Sequence, residues 1–155
     1  MKVFLDSSVF GGYFDKEFAE ITRKLFQYMK QNHVKICVSQ GVLGEIDSAP
    51  AKVQELLNEI PVDLLEIIPD SDEIKKLRDA YILQHVLGVG SIQDAGHIAS
   101  ATVARVDMIV SWNFRHIVNF QKIRGFNGVN LLMGYGTIDI YSPREVVSDE
   151  GKEEI

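Results

Sequence analysis

Apolar runs and stretches of helical spacing alternate along this chain. Lys2 to Leu5 reads as a short buried strand that stops on Asp6 and the polar turn Asp6-Ser7-Ser8, and Glu17 to Gln31 then carries Phe18, Ile21, Leu25 and Met29 on one helix face. Val34 to Val38 has the composition of a second strand, with Ser39 as candidate N-cap of a helix bearing Val42, Leu43, Glu45 and Ile46. Ala49-Pro50 interrupts that helix or begins the next, because proline is tolerated only in a first turn. Ala51 to Glu59 is a further helix, ended by Pro61.

Leu64 to Ile68 predicts a third strand, and Asp70 with Glu73 has the spacing of a capping box for a long helix reaching about Leu87, where Gly88 and Gly90 stop it. Ala95 to Arg105 is helical in pattern, and its small residues suit close packing. Asp107 to Ser111 reads as a fourth strand ending in the turn Ser111-Trp112-Asn113. The glycine-rich stretch Gly125 to Gly136 reads as a loop without the strand-to-helix context of a phosphate-cradling motif. Ile138 to Tyr141 is a last strand, followed by a helix begun at Pro143. Strands separated by helices imply parallel pairing with right-handed crossovers, hence a three-layer α/β/α sandwich around a central, mainly parallel sheet.

Composition narrows this picture. A chain of 155 residues, 46% hydrophobic, holds one core, expected over 1–147, with 148–155 as an acidic tail. Cys37 is the sole cysteine, which excludes an intramolecular disulfide and a Cys-rich zinc site, and its apolar neighbours make it a small buried side chain. With no secretory leader pattern and no apolar run near the ~20 residues that span a bilayer, a cytoplasmic protein is expected. A net charge of −6 argues against a generally basic nucleic-acid surface. Arg115 to Arg124 interleaves cations with aromatic and polar groups, fitting either a local phosphate track or an ordinary solvated face.

The candidate chemistry lies in three acids. An apolar strand ending on Asp6 delivers a carboxylate to the end of the sheet where open α/β folds keep their ligands, although Asp is also a common turn former. Glu45 falls one turn after Val42, close to an apolar face, with solvent exposure as the alternative. Asp94 is in a first helical turn, where an acid also suits the helix dipole. Gathered together, the acids repel by on the order of 4 kcal/mol per close pair. Sharing Mg²⁺ or Mn²⁺ relieves that repulsion and points to metal-assisted phosphodiester hydrolysis. His97, three residues after Asp94, reads as a packing or surface residue with a supporting role to the acids as the alternative, and His33 and His85 suggest no metal site. No Gly-x-Ser-x-Gly elbow is present.

Four pieces carry a resemblance: Phe4-Leu5-Asp6-Ser7-Ser8-Val9; Ser39-Gln40-Gly41-Val42-Leu43-Gly44-Glu45-Ile46; Gln93-Asp94-Ala95-Gly96-His97-Ile98-Ala99-Ser100-Ala101; and Val110-Ser111-Trp112-Asn113-Phe114-Arg115-His116-Ile117. Their order resembles that of the PIN-domain nucleases, including the VapC-type toxins of toxin–antitoxin pairs, over nearly the whole chain. The resemblance implies that Asp6, Glu45 and Asp94 hold Mg²⁺ or Mn²⁺ and that RNA is cut by phosphodiester hydrolysis. It makes Ser8 the support of the first acid and Ser111 and Asn113 the polar pair after the fourth strand. Asn113 would orient a water or a carboxylate, and Arg115 or His116 would meet a phosphate oxygen. The chain departs from the family in having Asn113 and His116 where a fourth acid often stands. An antitoxin covering the acidic groove and a homodimer through the helices around Phe18 to Met29 and Ala51 to Leu57 are the implied partners. A catalytically weak PIN-like module binding RNA or protein is the rival reading. A phosphoaspartyl phosphatase fold lacks support, because Asp6-Ser7-Ser8 supplies no second acid two residues on.

Overall fold

The computed structural model describes residues 1–147, so the tail 148–155 lies outside the described residues. Five strands form one parallel sheet: β1 (Lys2–Leu5), β2 (Lys35–Ser39), β3 (Leu65–Ile68), β4 (Met108–Val110) and β5 (Asp139–Tyr141), in the spatial order β3-β2-β1-β4-β5. Helices α1 (Ser7–Gly12), α2 (Ala19–Gln31), α3 (Gln40–Asp47), α4 (Ala51–Asn58), α5 (Asp72–Leu83), α6 (Ile92–Val103) and α7 (Phe120–Leu132) connect them. This is the expected PIN-like α/β/α sandwich. Val3, Phe4 and Leu5 are all buried, as a central strand covered on both faces requires.

The chain runs outward from β1 through β2 to β3, then returns to the other side of β1 as β4. That reversal is a topological switch point, where the loops leaving two neighbouring strands part and open a crevice. Leu5 is in register with Val110, so the next residues, Asp6 and Ser111, leave the sheet side by side. The position of Asp6 is thus a consequence of strand register.

Local signals explain most of the boundaries. Ser39 caps α3 by accepting from the Val42 amide at 3.2 Å, and Pro50 takes the N-cap position of α4. The cap of α5 is Ser71, which accepts from the Ile74 amide at 3.1 Å; the expected capping box at Asp70 is displaced by one residue, and Asp70 accepts from the Ser71 amide instead. α5 ends at Leu83, well short of Leu87, because His85 turns left-handed at φ 61° before Gly88 and Gly90 are reached.

Two elements differ in kind from the expectation. Ser7 and Ser8 open the helix α1, which buries Val9 and Phe10. The expected loop at 125–136 is largely helix: Asn119 caps α7, accepting from the amides of Gln121 and Lys122, and Phe126, Val129 and Asn130 are buried. Gly125 there meets a packing demand, since a Cβ would lie 2.8 Å from Val86 Cγ1. Buried Leu25 and Met29 of α2 and Val53 and Leu56 of α4 show where those apolar faces go, into the core. No helix among the described residues is long and apolar enough to cross a membrane. Cys37 is buried as expected, and burial pushes its thiol up to about 11.

Candidate active site

Asp6 is 3% exposed and held by hydroxyls on both oxygens. Ser8 Oγ donates to Oδ1 at 2.6 Å and Ser111 Oγ donates to Oδ2 at 2.7 Å. Each hydroxyl is oriented by a backbone amide beyond β4: Trp112 N donates to Ser8 Oγ and Asn113 N to Ser111 Oγ, both at 2.9 Å. The Ser111-Trp112-Asn113 turn therefore aims both serines at one carboxylate. Burial pushes the Asp6 carboxyl above its ordinary range and the negative charge of Asp94 adds to this, against the opposing pull of Ser8, Ser111 and His97.

Glu45 projects from α3, and one of its oxygens carries both of its bonds. Oε1 accepts from Ser7 Oγ at 3.0 Å and from His97 Nε2 at 2.8 Å, while Oε2 accepts none among the described residues. His97 is 3% exposed, so it is neither a surface residue nor simple packing. Asp94 and His97 sit three residues apart on α6 and so share a helix face, the one signal in the sequence that ties the imidazole to the acids. The ring also sets its neighbour, since a Cβ at Gly41 would stand 3.3 Å from His97 Cε1. Burial works against a charge on His97, yet the hydrogen bond and charge of Glu45, joined by the charges of Asp6 and Asp94, hold its pKa above the ordinary value. The bond from His97 in turn holds Glu45 below the usual carboxylate value.

Asp94 makes no helix-capping bond. Its Oδ2 accepts from Asn113 Nδ2 at 3.4 Å and lies 3.3 Å from His116 Nδ1. Asn113 Oδ1 accepts from the His116 amide at 2.9 Å, an arrangement that turns the Asn113 amide nitrogen toward Asp94. The Asn113 amide thus meets the Asp94 carboxylate. His116 is engaged with Asp94, and Arg115 is exposed and makes none of the site's polar contacts. Along 115–124, Lys122 Nζ donates to the Val86 carbonyl at 2.8 Å, while Arg115 and Arg124 are exposed, the Arg124 guanidinium lying 5.7 Å from the Phe120 ring centre.

The donor set consists of carboxylate oxygens, the chemistry that Mg²⁺ and Mn²⁺ prefer. Glu45 Oε2 and Asp94 Oδ1 carry no hydrogen bond among the described residues and so stay available to a cation. The set is not closed in this conformation. Among the described residues no three His, Cys, Asp or Glu side chains are grouped to hold one ion. In place of the expected tight cluster of three carboxylates stand one buried acid on hydroxyls and two acids in contact with histidines. The residues fit a hard divalent cation in donor type and in the side-chain oxygens they leave free.

No family model matches the chain, and no curated protein does. Solved structures do. The chain superimposes on the crystal structure of VapBC2 from Rickettsia felis bound to a DNA fragment from their promoter, with 17% identity, a TM-score of 0.61, and 92% of this chain and 98% of that chain covered. For FitAcB from Neisseria gonorrhoeae the identity is 13%, the TM-score 0.59 and the coverage 91% and 97%. For VapC20 of Mycobacterium tuberculosis, described as a sarcin-ricin loop cleaving toxin, the values are 13%, 0.57, and 74% and 92%. At these identities the likeness is one of fold: the chain has the fold of VapC-type, PIN-domain toxin structures.

Proposed function

We propose that residues 1–147 form a metal-dependent endoribonuclease domain that hydrolyses RNA phosphodiester bonds in the cytoplasm, as the toxin of a toxin–antitoxin pair. The observation that carries this reading is Asp6, an acid buried at the switch point and held on two hydroxyls with no cationic side chain among the described residues bonded to it. Such a carboxylate is costly in a low-dielectric setting and its charge is best relieved by a cation. The fold shared with the VapC-type structures supports the same reading.

In the mechanism, Asp6, Glu45 and Asp94 would hold Mg²⁺ or Mn²⁺. When bound, the ion supplies an activated water and charge stabilisation at the phosphate. The chain's own groups do the positioning. Ser8 and Ser111 fix the rotation of Asp6; Ser7 and His97 fix Glu45 through Oε1 and leave Oε2 free; Asn113 and His116 fix Asp94 through Oδ2 and leave Oδ1 free. His97, whose pKa the surrounding acids hold above its ordinary value, holds Glu45 in place through Nε2. A partner antitoxin presenting an Arg to the carboxylates would silence the site by occupying the same acids.

The unclosed ligand set and the neutral Asn113 favour a second reading, a PIN-like module that binds RNA or protein without cutting. Incubating the protein with a mixed RNA pool in Mn²⁺, with and without EDTA, separates the two. Cleavage that EDTA abolishes supports the nuclease; intact RNA at every Mn²⁺ concentration selects the binding module.

A further inference from the structure

A second concavity adjoins the acids on the other side of His97. It measures about 220 Å³, and α5 supplies Lys75 and Arg78 to its wall, α6 supplies Gln93 and His97, and the start of α3 supplies Gln40. His97 is the shared partition, bonded to Glu45 through Nε2 and lining this cavity as well. The charge here departs from the rest of the chain. Against a net of −6, Lys75 and Arg78 line this wall with one acid, Asp70, while Arg78 also pairs through Nε with Asp79.

These groups are unspent. Arg78 uses Nε on Asp79 Oδ1 at 3.0 Å, which leaves its two terminal nitrogens without partners among the described residues. Its stem lies across Gly96, with Cδ 3.8 Å from where a Cβ would stand, so the side chain is laid along α6. Lys75 Nζ and the side-chain amides of Gln40 and Gln93 make no hydrogen bond among the described residues, and all three residues are exposed. Lys122, by contrast, is bonded to the Val86 carbonyl. Cations and amides around a polar cavity beside a phosphodiester-cutting site suit the sugar-phosphate of a flanking nucleotide: the cations neutralise the phosphate and the amides meet ribose or base edges.

We propose that this cavity is a nucleotide subsite in which Lys75 and Arg78 bind a backbone phosphate of the substrate strand next to the bond that is cut. The inference rests on the nuclease reading for its substrate and on the cavity for its geometry. RNA and DNA share the phosphate; the 2′-hydroxyl separates them.

The test is binding of a short labelled single-stranded RNA of mixed sequence, followed by fluorescence anisotropy in EDTA across a salt series, with cleavage in Mn²⁺ measured in parallel. The double variant Lys75→Ala/Arg78→Ala is expected to bind at least about tenfold more weakly, and its salt slope to fall by about 0.7, the value for one single-strand phosphate that is no longer neutralised. In cleavage, KM rises while kcat changes little. Lys16→Ala/Lys30→Ala removes the same charge from elsewhere on the surface and should shift binding less than about threefold. If the double variant does not fold, Lys75→Glu alone carries the test, since Lys75 is exposed. Weaker RNA than DNA binding by the wild type would reject a ribose-contacting role for Gln40 and Gln93 and overturn that part of the proposal. A weakening no larger than the control pair's overturns the subsite, and leaves the nuclease reading standing if both variants still cut RNA. Wild-type protein that binds RNA through these cations and never cuts it keeps the subsite and overturns the nuclease. Wild-type protein that neither binds nor cuts overturns both.

Discussion

Asp6 and Glu45 are carboxylates of one site held in opposite ways. Asp6 is buried among neutral donors, so folding leaves its charge uncompensated and its pKa is pushed up. Glu45 is half-buried and bonded to an imidazole that its own charge helps to keep protonated, so its pKa is held down. The first arrangement stores a cost that a cation would relieve, and the second is self-sufficient without one. Under the proposed metal-dependent reading, the outer carboxylates are held by hydrogen-bonding or ion-pair contacts with His97 and His116, and the central one is left to a cation.

The contrast predicts opposite signs on substitution. Asp6→Asn should cut metal-dependent RNA cleavage by more than about a hundredfold, beyond the loss usual for a residue that only supports a ligand. The same change should leave the metal-free protein as stable or up to about 1 kcal/mol more so, because it removes a desolvated charge and keeps the shape. Thermal melting in EDTA together with a cleavage assay reads both; a large drop in Tm would mean that Asp6 is structural.

His97→Ala should destabilise the metal-free protein by about 2 kcal/mol, since it removes a hydrogen bond to a charged partner and the packing of a buried ring. Glu45→Gln should cost about 1 kcal/mol. Urea unfolding measures both, and a neutral result for His97→Ala would break the comparison on the Glu45 side.

A smaller effect is expected with pH. The depressed Glu45 contributes stability above its unfolded value of 4.5 and loses it as pH falls through the lower folded value. The raised His97 contributes fully below its unfolded value of 6.5 and loses its contribution as pH rises through the higher folded value. The pair therefore stabilises the metal-free protein most from pH 4.5 to 6.5, with a decline on either side. Asp6, with a raised folded pKa, contributes stability at acid pH that is lost as pH rises through that value. The gap in melting temperature between wild type and His97→Ala should narrow as pH rises through the folded His97 value, leaving the share due to lost packing, and a gap that does not change with pH would contradict the assignment.

Much of this was legible in the sequence, for reasons tied to particular residues. A fully apolar run that ends on an acid can be a buried central strand, and Lys2 to Asp6 proved to be one. Ser39 and Pro50 carry capping chemistry that does not depend on tertiary context. α7 was hidden because Gly125 and Gly128 lower helix propensity, while the need that places Gly125 there, room for Val86, comes from a residue far along the chain. α1 was hidden because Ser7 and Ser8 have turn composition and the helix is only 6 residues long. In the site, the three acids stood out as candidates from their places after a strand or on helices, and Ser8 and Ser111 only through the resemblance. The engagement of His97 with Glu45 was not, because the bond joins residues 52 positions apart. Lys75 and Arg78 are hidden for a similar reason: on α5 alone they look like an ordinary solvated face.

The most direct measurement is Mn²⁺ titration of the wild-type protein and Asp6→Asn, followed by calorimetry and by the paramagnetic resonance signal of free Mn²⁺. The account predicts saturable binding to the wild type that Asp6→Asn loses while remaining folded. Equal Mn²⁺ binding by the two proteins, or none by the wild type, would contradict it.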